Sequence, residues 1–146
     1  MKTFLAIVLF IACGSSQAGL GSTPANLGQQ VIATKENPMS TGSSSYTYLE
    51  KTLDSGTAVH EYVAADGAVF AVSWSGPYLP DLKEILGAHF DTMVAQSGKQ
   101  ARAGRSPLFL QRDDVVIVSA GHMGAFEGKA WIPGKLPAGF KPNDIK

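Results

Sequence analysis

The sequence predicts an α+β domain: a mostly antiparallel sheet of about five strands, in the order β-β-β-α-β-β, with one amphipathic helix packed on a face. Three observations lead there. Runs of aromatic and β-branched residues separated by tight-turn residues fill positions 46–76. A single apolar stripe at helical spacing follows Pro80, and two more strand-like runs follow from Val115. At 146 residues, 45% hydrophobic and 16% charged, the chain has material for one modest core and length for one domain.

The first 18 residues read as a signal peptide. Met1-Lys2-Thr3 is a short positive start, Phe4 to Ala12 is an unbroken apolar run, and Ser16-Gln17-Ala18 places small side chains where a signal peptidase reads them. The run is about half the ~20 residues a membrane-spanning helix needs, so no transmembrane segment is expected once the leader is removed. Cleavage between Ala18 and Gly19 gives an exported, periplasmic protein. The alternative is a lipoprotein attached through Cys13, although Phe10 and Ile11 fit that signal poorly. Cys13 is the chain's only cysteine, so cleavage at Ala18 leaves no disulfide and no thiolate.

Residues 19–45 are rich in Gly, Ser and Pro, with Val31-Ile32 apolar between, and read as a flexible linker. A single domain follows over residues 46–146. Tyr46-Thr47-Tyr48-Leu49 opens it as a strand, closed by Asp54-Ser55-Gly56. Thr57 to Ala64 is the second strand, and Asp66-Gly67 is a hairpin signal. In the third, Phe70, Val72 and Trp74 are expected on one covered face, with Ala71 and Ser73 opposite. Gly76-Pro77 ends it.

The helix is expected from about Pro80 to Ser97, with Asp81 at its positive end. Leu82, Ile85, Leu86, Phe90, Met93 and Val94 form its stripe, and Gly87 marks close approach to the sheet. Lys99 to Ser106, with Arg102 and Arg105, reads as a basic loop. Val115 to Val118 and Ala125 to Ile132 are the last strands, joined by Gly121-His122-Met123-Gly124. The tail after Pro133 is expected to run extended.

Residues 55–139 resemble the bacterial exported family catalogued as domain of unknown function 2844. The resemblance lies in Ser55-Gly56-Thr57, Glu61-Tyr62-Val63, Val69 to Val72, Gly76-Pro77, Pro80-Asp81-Leu82, Leu86-Gly87, Gly121-His122-Met123, Ala125-Phe126 and Leu136-Pro137-Ala138-Gly139. His60 and Gly124 stand where that pattern carries arginine, so a role needing both arginines lacks its residues here. The resemblance implies a bacterial envelope location and transfers no catalytic residue.

Charge and spacing narrow the chemistry. The 12 basic and 12 acidic side chains cancel, which removes the electrostatic footprint of a nucleic-acid binder. His60, His89 and His122, with Glu61 and Asp91, lack the paired spacing of a metal site, so no metal and no cofactor are expected. Ser73-Trp74-Ser75-Gly76 is not a nucleophile elbow, and Ser97-Gly98-Lys99 is not a phosphate loop. What remains is a non-catalytic binding or accessory module in envelope assembly or secretion, its partner an envelope protein or a small ligand. The candidate binding residues are Trp74, Tyr78 and His122, a ring set at strand ends and glycine turns. The alternative is a small periplasmic hydrolase or lyase using Glu61, Asp81 and His122.

N-terminal sequencing of the protein recovered from its own envelope is expected to begin at Gly19. An intact Met1, or a lipid on Cys13, would overturn the leader as read.

Overall fold

Side-chain alternation and tight turns draw the chain into one antiparallel sheet in this computed structural model, which describes residues 18–28, 31–41, 44–99 and 107–146. Its strands are β1 (Val31–Thr41), β2 (Ser44–Leu53), β3 (Ala58–Ala64), β4 (Val69–Gly76), β5 (Leu108–Gln111), β6 (Val116–His122) and β7 (Ala125–Trp131). Their order across the sheet is β1-β2-β3-β4-β7-β6-β5. The leader over 1–17, including Cys13, and the basic loop with Arg102 and Arg105 lie outside the described residues.

The expectation of five strands is thereby corrected to seven among the described residues. Both additions are edge strands, each paired on one side only. β1 lies within the expected linker and is held by a ladder to β2 that runs from Ala33↔Thr52 to Thr41↔Ser44. An outer strand needs no alternation of its own, and it tolerates Pro38, because one side of its backbone has no ladder to complete. β5 is too short to show a period. It follows Pro107 and pairs with β6 from Leu108↔Ser119 to Gln111↔Val116.

A bulge in β4 corrects the expected faces. Tyr62 pairs with Ala71 and Val63 with Val69, so Phe70 has no residue opposite. The extra residue shifts the alternation by one. Val69, Val72 and Trp74 point to the helix side, while Phe70 joins Ala71 on the other face.

The helical segment is also not continuous. α1 (Leu82–Leu86) passes through a tight 3-10 turn, Gly87–His89, into α2 (Phe90–Lys99). Asp81 caps α1, its carboxylate accepting from the Lys83 N–H at 2.9 Å and the Glu84 N–H at 3.2 Å. Gly87 breaks the helix with a φ of 53°, and a Cβ there would sit 2.9 Å from the Ala18 carbonyl. What approaches Gly87 is therefore the N-terminal segment, not the sheet. Leu82, Ile85, Leu86 and Met93 are buried as expected, and Val94 is half exposed.

The expected linker contributes directly to this core. Leu20, Ala25 and Leu27 are buried with α1 and the inner side chains of β2, β3, β4, β6 and β7. The Leu20 N–H donates to the Ile85 carbonyl at 2.9 Å, and Gly21 and Ser22 exchange backbone hydrogen bonds of 2.8 Å with Val69. Residues 18–27 form a strap across the helix side of the sheet. The opposite face is covered by the tail, which folds through 3-10 turns at Pro133–Lys135 and Pro142–Asp144 instead of running extended. Phe140 packs edge-on against Tyr46 and Phe70, with ring centroids 5.3 and 5.0 Å apart, and Ile145 completes this second core.

Leu86 is fully buried between strap and sheet, so Leu86→Ala should cost about 2–5 kcal/mol in denaturant melts. A loss below about 1 kcal/mol would place the stripe outside the core.

Candidate functional site

β4 and β7 are antiparallel neighbours, and the last β4 residue, Gly76, pairs with Phe126 near the start of β7. The exit of β4 therefore comes to lie beside the turn that joins β6 to β7. The two glycine-bearing segments singled out in the sequence meet there. They enclose an open concavity of about 600 Å³, with Ser75, Gly76, Pro77, His122, Phe126 and Glu127 in its wall.

Sterics hold both sides. At Gly76 a Cβ would lie 2.5 Å from Thr57 Cα, so only glycine lets the strand end close on the preceding hairpin. Thr57 is fully buried; its Oγ1–H donates to the Tyr78 carbonyl at 2.7 Å, and Oγ1 accepts from the Tyr78 N–H at 3.3 Å. On the other side a Cβ at Gly121 would lie 2.8 Å from Phe126 Cα, within the same hairpin. His122 is exposed, and its Nδ1–H donates to the Met123 carbonyl at 3.1 Å. A carbonyl can only accept, so the neutral ring keeps Nε2 as a free acceptor. The wall thus offers an imidazole acceptor, a carboxylate, a hydroxyl and two apolar surfaces.

The other candidate residues fall elsewhere. Trp74 does not line the concavity: it is 1% exposed in the helix-side core, its ring pressed on Gly128, where a Cβ would collide with it. Its Nε1 has no hydrogen-bond partner. Tyr78 is 64% exposed outside the wall and is tied in place by its backbone. Of the three expected rings, His122 is the one that lines this concavity.

Glu61, Asp81 and His122 do not share a wall either. Asp81 is engaged as the helix cap. Glu61 is fully buried, its Oε1 accepting the Ala25 N–H at 2.7 Å and its Oε2 lying 2.7 Å from Lys51 Nζ. Lys51 Nζ in turn donates to the Ala25 carbonyl, so the ion pair holds one strap residue, Ala25, by both its N–H and its carbonyl. Sequence reasoning singled out Glu61 but missed Lys51. The signal was there, because Leu49, Lys51 and Leu53 alternate inward and the middle one is charged.

A second polar group lies under the tail. His60 Nδ1 is 3.2 Å from Ser73 Oγ, and the ring stacks obliquely on Tyr48 at 5.4 Å. Burial lowers the His60 pKa, with Glu50 opposing and Lys146 adding to the shift. Tyr48 is pushed up to about 12, mainly by burial and then by Glu50. Among the described residues no three His, Cys, Asp or Glu side chains converge as a metal-binding group.

The family described as Protein of unknown function (DUF2844) matches residues 16–145. The chain belongs to this family. No curated protein and no solved structure matches it. The family match covers the strap, all seven strands and the tail, so the DUF2844 match extends across every described element.

His122 and Trp74 separate surface from core by experiment. His122→Ala should leave the melting temperature within about 2 °C of wild type, whereas Trp74→Ala should cost about 3–5 kcal/mol. Thermal and denaturant melts of the two variants check both; a large loss from His122→Ala would make that ring structural.

Proposed function

We propose that this DUF2844 chain is an exported module of the bacterial envelope that works by binding, through the concavity at the ends of β4, β6 and β7. One observation carries the choice of surface: the Gly76-Pro77 exit and the Gly121–Phe126 hairpin close on one hollow of about 600 Å³, with an accessible imidazole in its wall. That volume suits a small ligand or the exposed loop of an envelope protein. His122 Nε2 would accept a hydrogen bond there, Glu127 would attract a donor or a cation, and Phe126 and Pro77 would pack the apolar part.

Export is supported by the leader pattern of residues 1–18 and by the exported family that the sequence resembles. Among the described residues no helix is long and apolar enough to cross a membrane. Binding is favoured over a hydrolase or lyase because Glu61 and Asp81 are already engaged, one with the strap and one with the helix cap.

Affinity capture from envelope extracts tests this reading, with the mature protein as bait beside its His122→Ala and Glu127→Ala variants. The expected result is recovery of one main partner, reduced about tenfold or more by either variant, equivalent to a loss of about 1.4 kcal/mol. Equal recovery by all three proteins would move the binding surface elsewhere.

A further inference from the structure

The junction between Ala18 and Gly19 is built into the fold. Gly19 is buried, its N–H donates to the Thr23 carbonyl at 2.7 Å, and Ala18 pairs with Thr23 as an isolated bridge. A Cβ on Gly19 would collide with the Glu84 carbonyl and lie 2.8 Å from the Ile85 carbonyl and 2.9 Å from the Gly87 nitrogen. Gly19 therefore sits against the last turn of α1, beside the Glu84 and Ile85 carbonyls. A cleft of about 290 Å³ adjoins it, lined by Ala18, Asp81, Lys83, Glu84 and Gly87.

Hydrolysis of the Ala18–Gly19 bond adds the hydroxyl of water to the Ala18 carbonyl carbon and a proton to the Gly19 nitrogen. The amine takes up a second proton as an ammonium, and the Ala18 carboxylate departs with the leader. The new group keeps the Thr23 carbonyl as one acceptor. Its other two N–H bonds turn toward the space that Ala18 vacates, in the cleft that Asp81, Lys83 and Glu84 also line.

We propose that this cleft is a built-in seat for the α-ammonium of Gly19, so that removing the leader completes the contact between the strap and α1. The proposal rests on the export reading and deepens it. It also separates two reasons for glycine at this position. The φ of 109° at Gly19 ceases to exist once the bond before it is cut, but the closeness of α1 still excludes a side chain.

Asp81 and Glu84 outnumber Lys83 in the cleft, which favours a cation there against the cost of burying it. Burial first, and then Asp81, raise the pKa of Glu84; Glu61 adds to that shift and Lys51 opposes it. The charged and titratable groups around the seat are Asp81, Lys83 and Glu84 from α1, and Lys51 and Glu61 from β2 and β3 through their effect on Glu84. His89 lies further along the strap, its Nε2 3.6 Å from the Cβ position of Gly21. An ammonium held here binds its proton more tightly when folded. The stability it adds is complete below the unfolded α-amine value near 8, and is lost as pH rises through the higher folded value.

Three forms of the mature domain test the seat: one starting at Gly19, the same chain acetylated on Gly19, and one starting at Ala18. Circular dichroism establishes that each is folded. The Gly19 amine, followed by NMR, is expected to titrate about one pH unit above the same group in a short Gly-Leu-Gly peptide. The Gly19 form should also unfold at a higher denaturant concentration than the other two at pH 7, with the advantage gone by about pH 10. Glu84→Gln should narrow both differences. A peptide-like titration, or equal midpoints for all three forms at pH 7, would overturn the proposal. The export reading fails separately, if protein taken from its native envelope does not begin at Gly19.

Discussion

The fold depends on one buried ion pair. Glu61 has no solvent exposure, and burying an isolated carboxylate in an apolar core is prohibitive unless its charge is matched and its oxygens are bonded. Lys51 on the neighbouring strand supplies the charge, and Ala25 supplies its N–H to the carboxylate and its carbonyl to the ammonium. Neither side chain can be satisfied by the sheet alone. The strap must dock, and in docking it carries Leu20, Ala25 and Leu27 onto the core and brings Gly19 against α1. A polar pair thus selects one placement for a segment whose composition alone would leave it loose.

The rest of the architecture follows from a sheet that must be covered on both faces. The bulge at Phe70 puts two consecutive β4 residues on the tail side, where Phe140 and three tyrosines form an aromatic layer. The helix and strap cover the other side. At the sheet's end, the turns that follow β4 and β6 present a further concave surface. Gly76 is required by the approach of Thr57 from the preceding hairpin and Gly121 by the approach of Phe126 within its own, and the concavity is a consequence of how closely these turns pack.

Much of this was legible in the residues, and what was not has physical causes. The stripe through Leu82, Ile85 and Leu86 showed where the helix would bury, because apolar side chains repeating every turn form one face for packing. Gly76-Pro77 and Gly121-His122 showed where strands would end, and pairing of β4 with β7 then brought the two turns together. Edge strands β1 and β5 left no period to read, one having a single partner and the other only four residues. The bulge was hidden because Phe70, Val72 and Trp74 alternate on paper whether or not a residue is skipped. Trp74 and Tyr78 were expected at a binding surface for their chemistry; Trp74 lies under the covered face and Tyr78 on an exposed turn. Lys51 showed itself only as a charge in an inward position, which reads as an error until Glu61 is placed opposite the same face.

The most direct measurement is a double-mutant cycle on the ion pair, with amide exchange of Ala25 and Leu20 as the second readout. Glu61→Ala and Lys51→Ala should each cost about 3–5 kcal/mol, because each strands a buried charge, and the double variant should cost clearly less than the sum of the two. In the single variants the strap amides should exchange far faster than those of β3 and β4, as the strap releases ahead of the sheet. Additive losses below about 1 kcal/mol, with strap amides as protected as in the wild type, would contradict the account and make the strap's placement independent of the pair.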